Sequence, residues 1–142
     1  MPIAVTDYAH LRLTVTDITR SREFYDAVFG FPVVYEAPPA NADQATKDQL
    51  AFLYGGVIYG FAGGVLGLRP VAPGGDRFSE DRVGLDHVSF AVASRTELDS
   101  AATLLDGLGI SHAGVKDLGG SFVLEFRDPD NIALELFFRA AA

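Results

Sequence analysis

The sequence predicts an α+β domain built from two tandem βαβββ modules, and three observations carry that expectation. An alternating strand opened by a histidine, then an amphipathic helix stopped by glycine, occurs twice: His10 leads to Gly30 and His87 to Gly107, each glycine twenty residues after its histidine. The inward residues of the two opening strands superpose, Leu11, Leu13 and Val15 on Val88, Phe90 and Val92. The closing strands superpose as well, Val65-Leu-Gly-Leu68 on Ala133-Leu-Glu-Leu136. A unit of this size cannot bury a sheet face alone, so the two are expected to pair into one cupped mixed sheet around a concavity. Module 1 spans about 5–70, a linker about 71–83 and module 2 about 84–139, all within a single domain, 1–142.

In module 1, Ala9 to Val15 alternates as a strand, with Leu11, Leu13 and Val15 on one side and His10, Arg12 and Thr14 on the other. Asp17 or Thr19 caps a helix whose apolar positions include Phe24, Tyr25, Val28 and Phe29, and Gly30 ends it as a residue suited to the left-handed C′ position. Phe31 to Glu36 resumes as a strand until Pro38 and Pro39 break the pattern. Asn41 to Tyr54 reads as a second helix, capped by Asn41 or Asp43, with Leu50, Phe52 and Leu53 toward the core. Two glycine-bounded strands follow, Val57 to Ala62 and Val65 to Arg69.

After the linker with Pro73-Gly74-Gly75, Asp86 to Val92 alternates like the first strand. Thr96 caps a helix that turns Leu98, Ala101, Ala102, Leu104 and Leu105 inward, and Gly107 or Gly109 stops it. Ile110 to Val115 and Ser121 to Phe126 are strands. The chain then closes in a hairpin around Asp128-Pro129-Asp130-Asn131, residues whose chemistry favours a tight reversal.

Composition narrows the function classes. With 49 % apolar and 21 % charged residues the chain is that of a soluble globular protein. A net charge of −8 argues against a nucleic-acid backbone or an anionic membrane surface as partner. The absence of cysteine excludes disulfides and thiolate metal sites. The N-terminus lacks a basic segment followed by an apolar run and so does not read as a signal peptide, and the longest apolar stretch, Val57 to Leu68, is broken by glycines and short of a membrane span, so a cytoplasmic location is expected.

Glu135 is the one charge amid apolar neighbours in the last strand. Alternation sets it with Ala133 and Phe137, opposite Leu134 and Leu136. A carboxylate there must face solvent, find a cation or ligate a metal, because burying it unpaired costs too much. His10 and His87 occupy equivalent places in the repeat, and Glu135 has Gly67 as its counterpart. If the last strand of each module lies beside the first, these three side chains point into one concavity. Two imidazoles and one carboxylate form a facial set for a divalent metal with open positions, and Fe, Mn, Ni, Zn and Co all suit it. His112 is expected at the surface, and Glu125 is expected to pair with Arg12 or Arg127. Phe52, Tyr54, Tyr59, Phe61, Phe122 and Phe137 are core aromatics, some of which line the substrate pocket.

The duplicated unit, the histidine in each opening strand, and Phe126-Arg-Asp-Pro-Asp-Asn-Ile-Ala-Leu-Glu-Leu-Phe137 together resemble the vicinal oxygen chelate superfamily. That group holds glyoxalases, bleomycin-resistance proteins and extradiol dioxygenases. Thr16 to Tyr25 and Gly84 to Val92 fit it too, so the resemblance covers nearly the whole chain. It implies paired βαβββ modules, a homodimer, and metal ligands at His10, His87 and Glu135; the chemistry of Glu135 alternatively lets it leave the metal and act as a base. Glyoxalases of this group use four protein ligands, and Gly67 stands where the fourth would be. Fosfomycin-inactivating transferases and extradiol dioxygenases use two histidines and one glutamate. No basic cluster for a phosphonate is read in so acidic a chain, and Phe122 to Phe126 holds no tyrosine of the kind extradiol enzymes place near iron.

The expected function is a divalent-metal-dependent enzyme of lyase, isomerase or dioxygenase type. It would chelate neighbouring oxygens of a small, largely apolar substrate and stabilise the negative charge that grows on them. The alternative is a metal-free binding protein that sequesters an antibiotic or similar ligand, for which the aromatics and the acidic charge argue.

Overall fold

In the computed structural model, which describes residues 1–141, the chain divides into two compact units between Gly75 and Asp76. Each unit is a βαβββ module. The first comprises β1 (Leu11–Thr14), α1 (Ile18–Val28), β2 (Val33–Glu36), β3 (Val57–Phe61) and β4 (Gly64–Arg69). A short helix α2 (Gln44–Gln49) and a 3₁₀ turn, Ala51–Leu53, are inserted between β2 and β3. The second comprises β5 (Val88–Ala91), α3 (Arg95–Gly107), β6 (Lys116–Asp117), β7 (Ser121–Arg127) and β8 (Ala133–Arg139).

The strands form two four-stranded mixed sheets with the same connectivity, β1-β4-β3-β2 and β5-β8-β7-β6. In each module the first and last strands run parallel, and the remaining pairs are antiparallel. This register sets Arg12 opposite Gly67 in the first sheet and Ser89 opposite Glu135 in the second. The repeat therefore holds at the level of single side chains: Arg12 corresponds to Ser89, and Gly67 to Glu135.

Alternation buries one face of each sheet beneath its helix. In the first unit Leu13, Val15, Leu66 and Leu68 pack with Tyr25 of α1, and in the second Leu134 and Leu136 pack with Leu98 and Leu105 of α3. Asp17 caps α1 by accepting from Arg20 N at 3.0 Å, and Gly30, at φ +60°, ends it in the left-handed region. The cap of α3 is Ser94 rather than Thr96. Its Oγ accepts from Glu97 N at 3.2 Å while Glu97 accepts from Ala93 N at 2.7 Å, a reciprocal cap that Thr96, inside the helix, cannot make. Leu104 faces solvent, 42 % exposed, so the buried stripe of α3 is narrower than expected.

Three further expectations are corrected. The helix over 41–54 is broken: Asp43 caps α2, and the chain then tightens into the 3₁₀ turn. That tightening keeps Leu53 fully buried but turns Phe52 outward, 46 % exposed. No strand forms over 110–115. Gly109 and Gly114, both at positive φ, bend this stretch, which leaves a single bridge from His112 to Phe126 and the short β6. His112 is consequently not a surface residue. Only 11 % of its side chain is exposed, and its ring bonds Asp106 at 2.9 Å and Gly114 N at 3.1 Å.

Among the described residues, no helix is long and apolar enough to cross a membrane.

Candidate functional site

The Asp128–Asn131 turn that joins β7 to β8 positions the second unit's site. Asp128 Oδ1 accepts from Asp130 N at 2.9 Å and Ile132 N at 2.8 Å, and Asn131 takes the left-handed conformation at φ +68°. Asn131 Nδ2 donates to Phe78 O at 3.1 Å, and Phe78 N donates to Asp130 O at 2.9 Å. The turn thus holds the segment that carries Glu80 against the sheet. From there Glu80 grips Arg127 with both carboxylate oxygens, one of them 2.9 Å from Nη1.

Beneath that clasp is an open pocket of about 180 Å3, lined among others by Glu80, Asp86, His87, Glu125, Arg127 and Glu135. Its charge is mostly negative, which suits a cation. Glu135 projects from β8 with only 15 % of its side chain exposed. Ser89 Oγ, directly opposite on β5, donates to Glu135 Oε1 at 2.6 Å. The second carboxylate oxygen, Oε2, faces His87 Nε2 at 4.0 Å. His87 directly precedes β5, and its Nδ1 lies 2.6 Å from Asp86 Oδ1. That hydrogen bond, with a smaller contribution from the Glu135 charge, raises the imidazole pKa above its ordinary value although partial burial works against it.

An imidazole held in this way is able to serve as a metal ligand. A carboxylate on Nδ1 fixes the tautomer and leaves Nε2 to face an ion. Two ligand atoms about 2.1 Å from one ion stand roughly 3.0–3.5 Å apart, so a small closure from 4.0 Å would let His87 and Glu135 share a cation. Two of the three expected ligands are therefore brought together within the second unit. His10 directly precedes β1 and is exposed in the first unit. Among the described residues, no three His, Asp or Glu side chains are gathered as a metal-holding group.

The expected aromatics separate by sheet face. Phe137 shares the face of Glu135, and Phe52 and Tyr54 lie on the face of Arg12, which alternation gives also to His10. Tyr59, Phe61 and Phe122 are on the helix-facing sides. Tyr59 is fully buried and donates to Asp26 at 2.8 Å, Phe61 stacks on Phe31 at 4.6 Å, and Phe122 stacks on Phe138 at 6.3 Å. Strand alternation alone separates these three from the Glu135 side. Glu125 pairs with Lys116 at 2.5 Å rather than with Arg12 or Arg127, because Lys116 stands beside it on β6 and Arg127 is engaged by Glu80.

Sequence reasoning missed Asp86, Ser89, Glu80 and Arg127, all of which act on the site. Asp86 and Ser89 stand beside His87 in the chain, and polar side chains so near an expected ligand are the signal that could have found them. Glu80 and Arg127 carry no such local signal. Nor does any run of basic residues announce a cationic cluster, yet Arg12 and Arg69 converge on the ring of Tyr54, at 5.9 and 4.2 Å from its centroid.

Comparison with known proteins agrees with this architecture. The family model for the glyoxalase/bleomycin resistance protein/dioxygenase superfamily matches residues 7–136. Among solved structures, a glyoxylase/bleomycin resistance protein/dioxygenase domain from Frankia sp. EAN1pec is 28 % identical with a TM-score of 0.77, over 98 % of this chain and 96 % of that one. The fosfomycin resistance protein FosX from Listeria monocytogenes, solved with Mn(II) and sulfate, is 19 % identical with a TM-score of 0.66, over 98 % and 93 %. Lactoylglutathione lyase from Agrobacterium tumefaciens is 20 % identical with a TM-score of 0.67, over 94 % and 93 %. No curated protein sequence matches. With its two βαβββ modules and a family match over nearly its whole length, the chain belongs to the glyoxalase/bleomycin resistance protein/dioxygenase superfamily.

Proposed function

We propose that the protein is a divalent-metal-dependent enzyme of this superfamily that acts on a small, oxygenated, largely apolar organic substrate. His10, His87 and Glu135 are the proposed ligands. The observation that carries the reading is His87: its Nδ1 is occupied by Asp86 and its Nε2 is turned toward Glu135 Oε2. His10 joins the set by its equivalent place in the repeat. FosX, of the same fold, has been solved with Mn(II), which makes that ion the first to test. A metal bound there supplies Lewis acidity for oxyanion stabilisation. The chain's own residues do the rest. Asp86 orients the imidazole, Ser89 holds one oxygen of Glu135, and the Glu80–Arg127 clasp borders the pocket. Glu135 is alternatively placed to serve as a base. Reaction class is a lyase, isomerase or dioxygenase type, in a homodimer located in the cytoplasm.

The test is metal binding by the purified chain. Mn(II) is expected to bind stoichiometrically to the wild type and not to His87→Ala or Glu135→Ala. Equal binding by all three would end the reading.

A second reading, a metal-free protein that sequesters a small molecule, is favoured by one contact: Glu135 already accepts from Ser89 and is satisfied without an ion. Tight binding of an aromatic ligand that EDTA leaves unchanged, with no turnover, would select it.

A further inference from the structure

The geometry points to an oxyanion-binding half-site in the first unit, formed by Arg12, Arg69 and Tyr54, that takes the carboxylate or phosphoryl group of an apolar organic ligand. Arg12 and Arg69 come from adjacent parallel strands, where Arg12 is opposite Gly67 and Arg69 opposite Thr14. Both guanidinium groups lie over one phenol ring, Arg69 at 4.2 Å and Arg12 at 5.9 Å from its centroid. Among the described residues, neither has a carboxylate partner, although the chain carries 19 acidic residues against 11 basic ones. Three other guanidinium groups are paired, Arg22 with Glu36 at 2.8 Å, Arg95 with Asp99 at 3.1 Å, and Arg127 with Glu80. Two neighbouring cations left without an anion in so acidic a chain repel one another, and a bound oxyanion relieves that repulsion.

The pair is also held in place. Arg12 Nη2 donates to Phe52 O at 2.7 Å, which leaves the rest of its five N–H donors free. Its stem crosses Gly67, where an added Cβ would stand 3.0 Å from Arg12 Cγ, so the glycine is what lets the arginine lie there. Tyr54 closes the arrangement from a left-handed backbone position, φ +53°, uncommon for an aromatic residue. A guanidinium fixed at one end and stacked on a ring presents its fork with little entropy left to lose, the arrangement that favours two-point binding of an oxyanion.

The apolar half of the ligand has its own surface. Tyr35, Phe52 and Tyr54 are 51, 46 and 57 % exposed, and the rings of Tyr35 and Phe52 meet edge to face at 6.1 Å. Three exposed aromatics beside a cation pair suit a flat apolar body that ends in an acid.

The first unit thus inverts the charge of the second. At the register position where the second unit holds Ser89 and Glu135, the first holds Arg12 and Gly67. The half-site stands on the first unit alone. That its occupant is the acid-bearing end of the enzyme's substrate rests on the proposed function, since alternation puts His10 on the same face as Arg12.

The experiment titrates the EDTA-treated full chain with benzoate, benzyl alcohol and inorganic phosphate, read by backbone and arginine Nε NMR. Benzoate is expected to shift Arg12, Arg69, Phe52 and Tyr54, and benzyl alcohol, which keeps the ring and lacks the charge, to leave them still. Arg12→Gln and Arg69→Gln should each weaken benzoate by about tenfold, the loss of a charge-assisted contact. Phosphate binding more weakly than benzoate supports an organic acid as occupant, and phosphate binding as tightly overturns that part. Benzoate shifts that map elsewhere, or that benzyl alcohol reproduces, overturn the half-site from wild-type data alone. Because metal is absent throughout, a failure of metal binding at His87 and Glu135 leaves this result untouched, and the reverse holds.

Discussion

Glu125 and Glu135 stand directly opposite one another across the antiparallel pair of β7 and β8, and a lysine reaches one of them. Lys116, on the neighbouring β6, reaches Glu125 at 2.5 Å. Like charges facing each other across a sheet oppose pairing unless they are neutralised. Lys116 performs that neutralisation, and Ser89 takes one oxygen of Glu135.

Lys116→Met should therefore destabilise the second unit by about 0.5 kcal/mol at neutral pH, since it leaves two carboxylates facing each other. The loss should grow at low ionic strength, where exposed charges are least screened. Adding Glu125→Gln should restore stability, because the repulsion then has only one member. Urea unfolding of the two single variants and the double variant measures the coupling. A double variant no more stable than Lys116→Met would refute it.

At the proposed metal site, Asp86 is expected to affect affinity without touching the ion. Its carboxylate holds His87 Nδ1 at 2.6 Å, so Asp86→Asn should weaken Mn(II) binding by about 10- to 100-fold, the usual effect of removing a ligand's outer partner. His87→Ala should abolish binding. Calorimetric titration of Mn(II) into each variant separates the two roles, and equal losses would mean that Asp86 acts as a ligand itself.

The clasp over the pocket has a defined pH range. Hydrogen bonding to Arg127 pulls the Glu80 carboxyl down from 4.5 to about 2. A carboxyl lowered on folding contributes stability above its unfolded value, and that contribution fades as pH falls from about 4.5 to about 2. Glu80→Gln should accordingly be less stable than the wild type at pH 6 and indistinguishable from it below pH 2 or so. Thermal melting across that range gives the comparison, and a difference that persists in acid would show that the clasp acts by packing.

At the other end of the scale, Tyr59 carries a fully buried hydroxyl-bearing ring in the first unit's core. Its hydroxyl donates to Asp26 at 2.8 Å, and burial together with that bond raises its pKa well beyond the ordinary phenol value. A group raised on folding contributes fully below its unfolded pKa of 10.0 and is lost as pH climbs toward the folded value. Tyr59→Phe should cost about 1 kcal/mol at pH 7. The variant should also lose less stability than the wild type between pH 10 and 12, and denaturant unfolding in that range tests the sign.

The opening strand, helix and stop glycine of each module were legible because their periods of two and 3.6 are local, and Asp17 and Gly30 act where those periods break. Ser94 was legible in principle, since Ser94 and Glu97 have the spacing of a reciprocal cap. The bend at 109–114 was not, because its apolar content reads as strand while the positive φ of its glycines decides the path. The same limit applies to the site. His87 was singled out through the repeat and Glu135 as the one charge amid apolar neighbours in its strand, whereas Glu80 with Arg127, and Arg12 with Arg69, meet only once distant segments pack.

Gly67 is the repeat counterpart of Glu135, so a carboxylate introduced there tests what governs the first unit's register position. Gly67→Glu alone should not raise metal affinity in this chain. A carboxylate introduced at 67 arrives beside two unpaired guanidinium groups, Arg12 across the register and Arg69 two residues on, and a charge-assisted pair with either satisfies it first. Its Cβ also displaces the Arg12 stem, which lies 3.0 Å from that position. Benzoate binding at the half-site should therefore disappear while Mn(II) affinity stays within about threefold, or less than 1 kcal/mol. Replacing the competing cation as well, Arg12→Ser with Gly67→Glu, installs in the first unit the Ser89–Glu135 arrangement of the second. That double variant should bind Mn(II) about tenfold more tightly than the wild type, some 1.4 kcal/mol, as the freed carboxylate joins the face of His10. A single variant that already gains metal affinity would show that the guanidinium groups do not control this position.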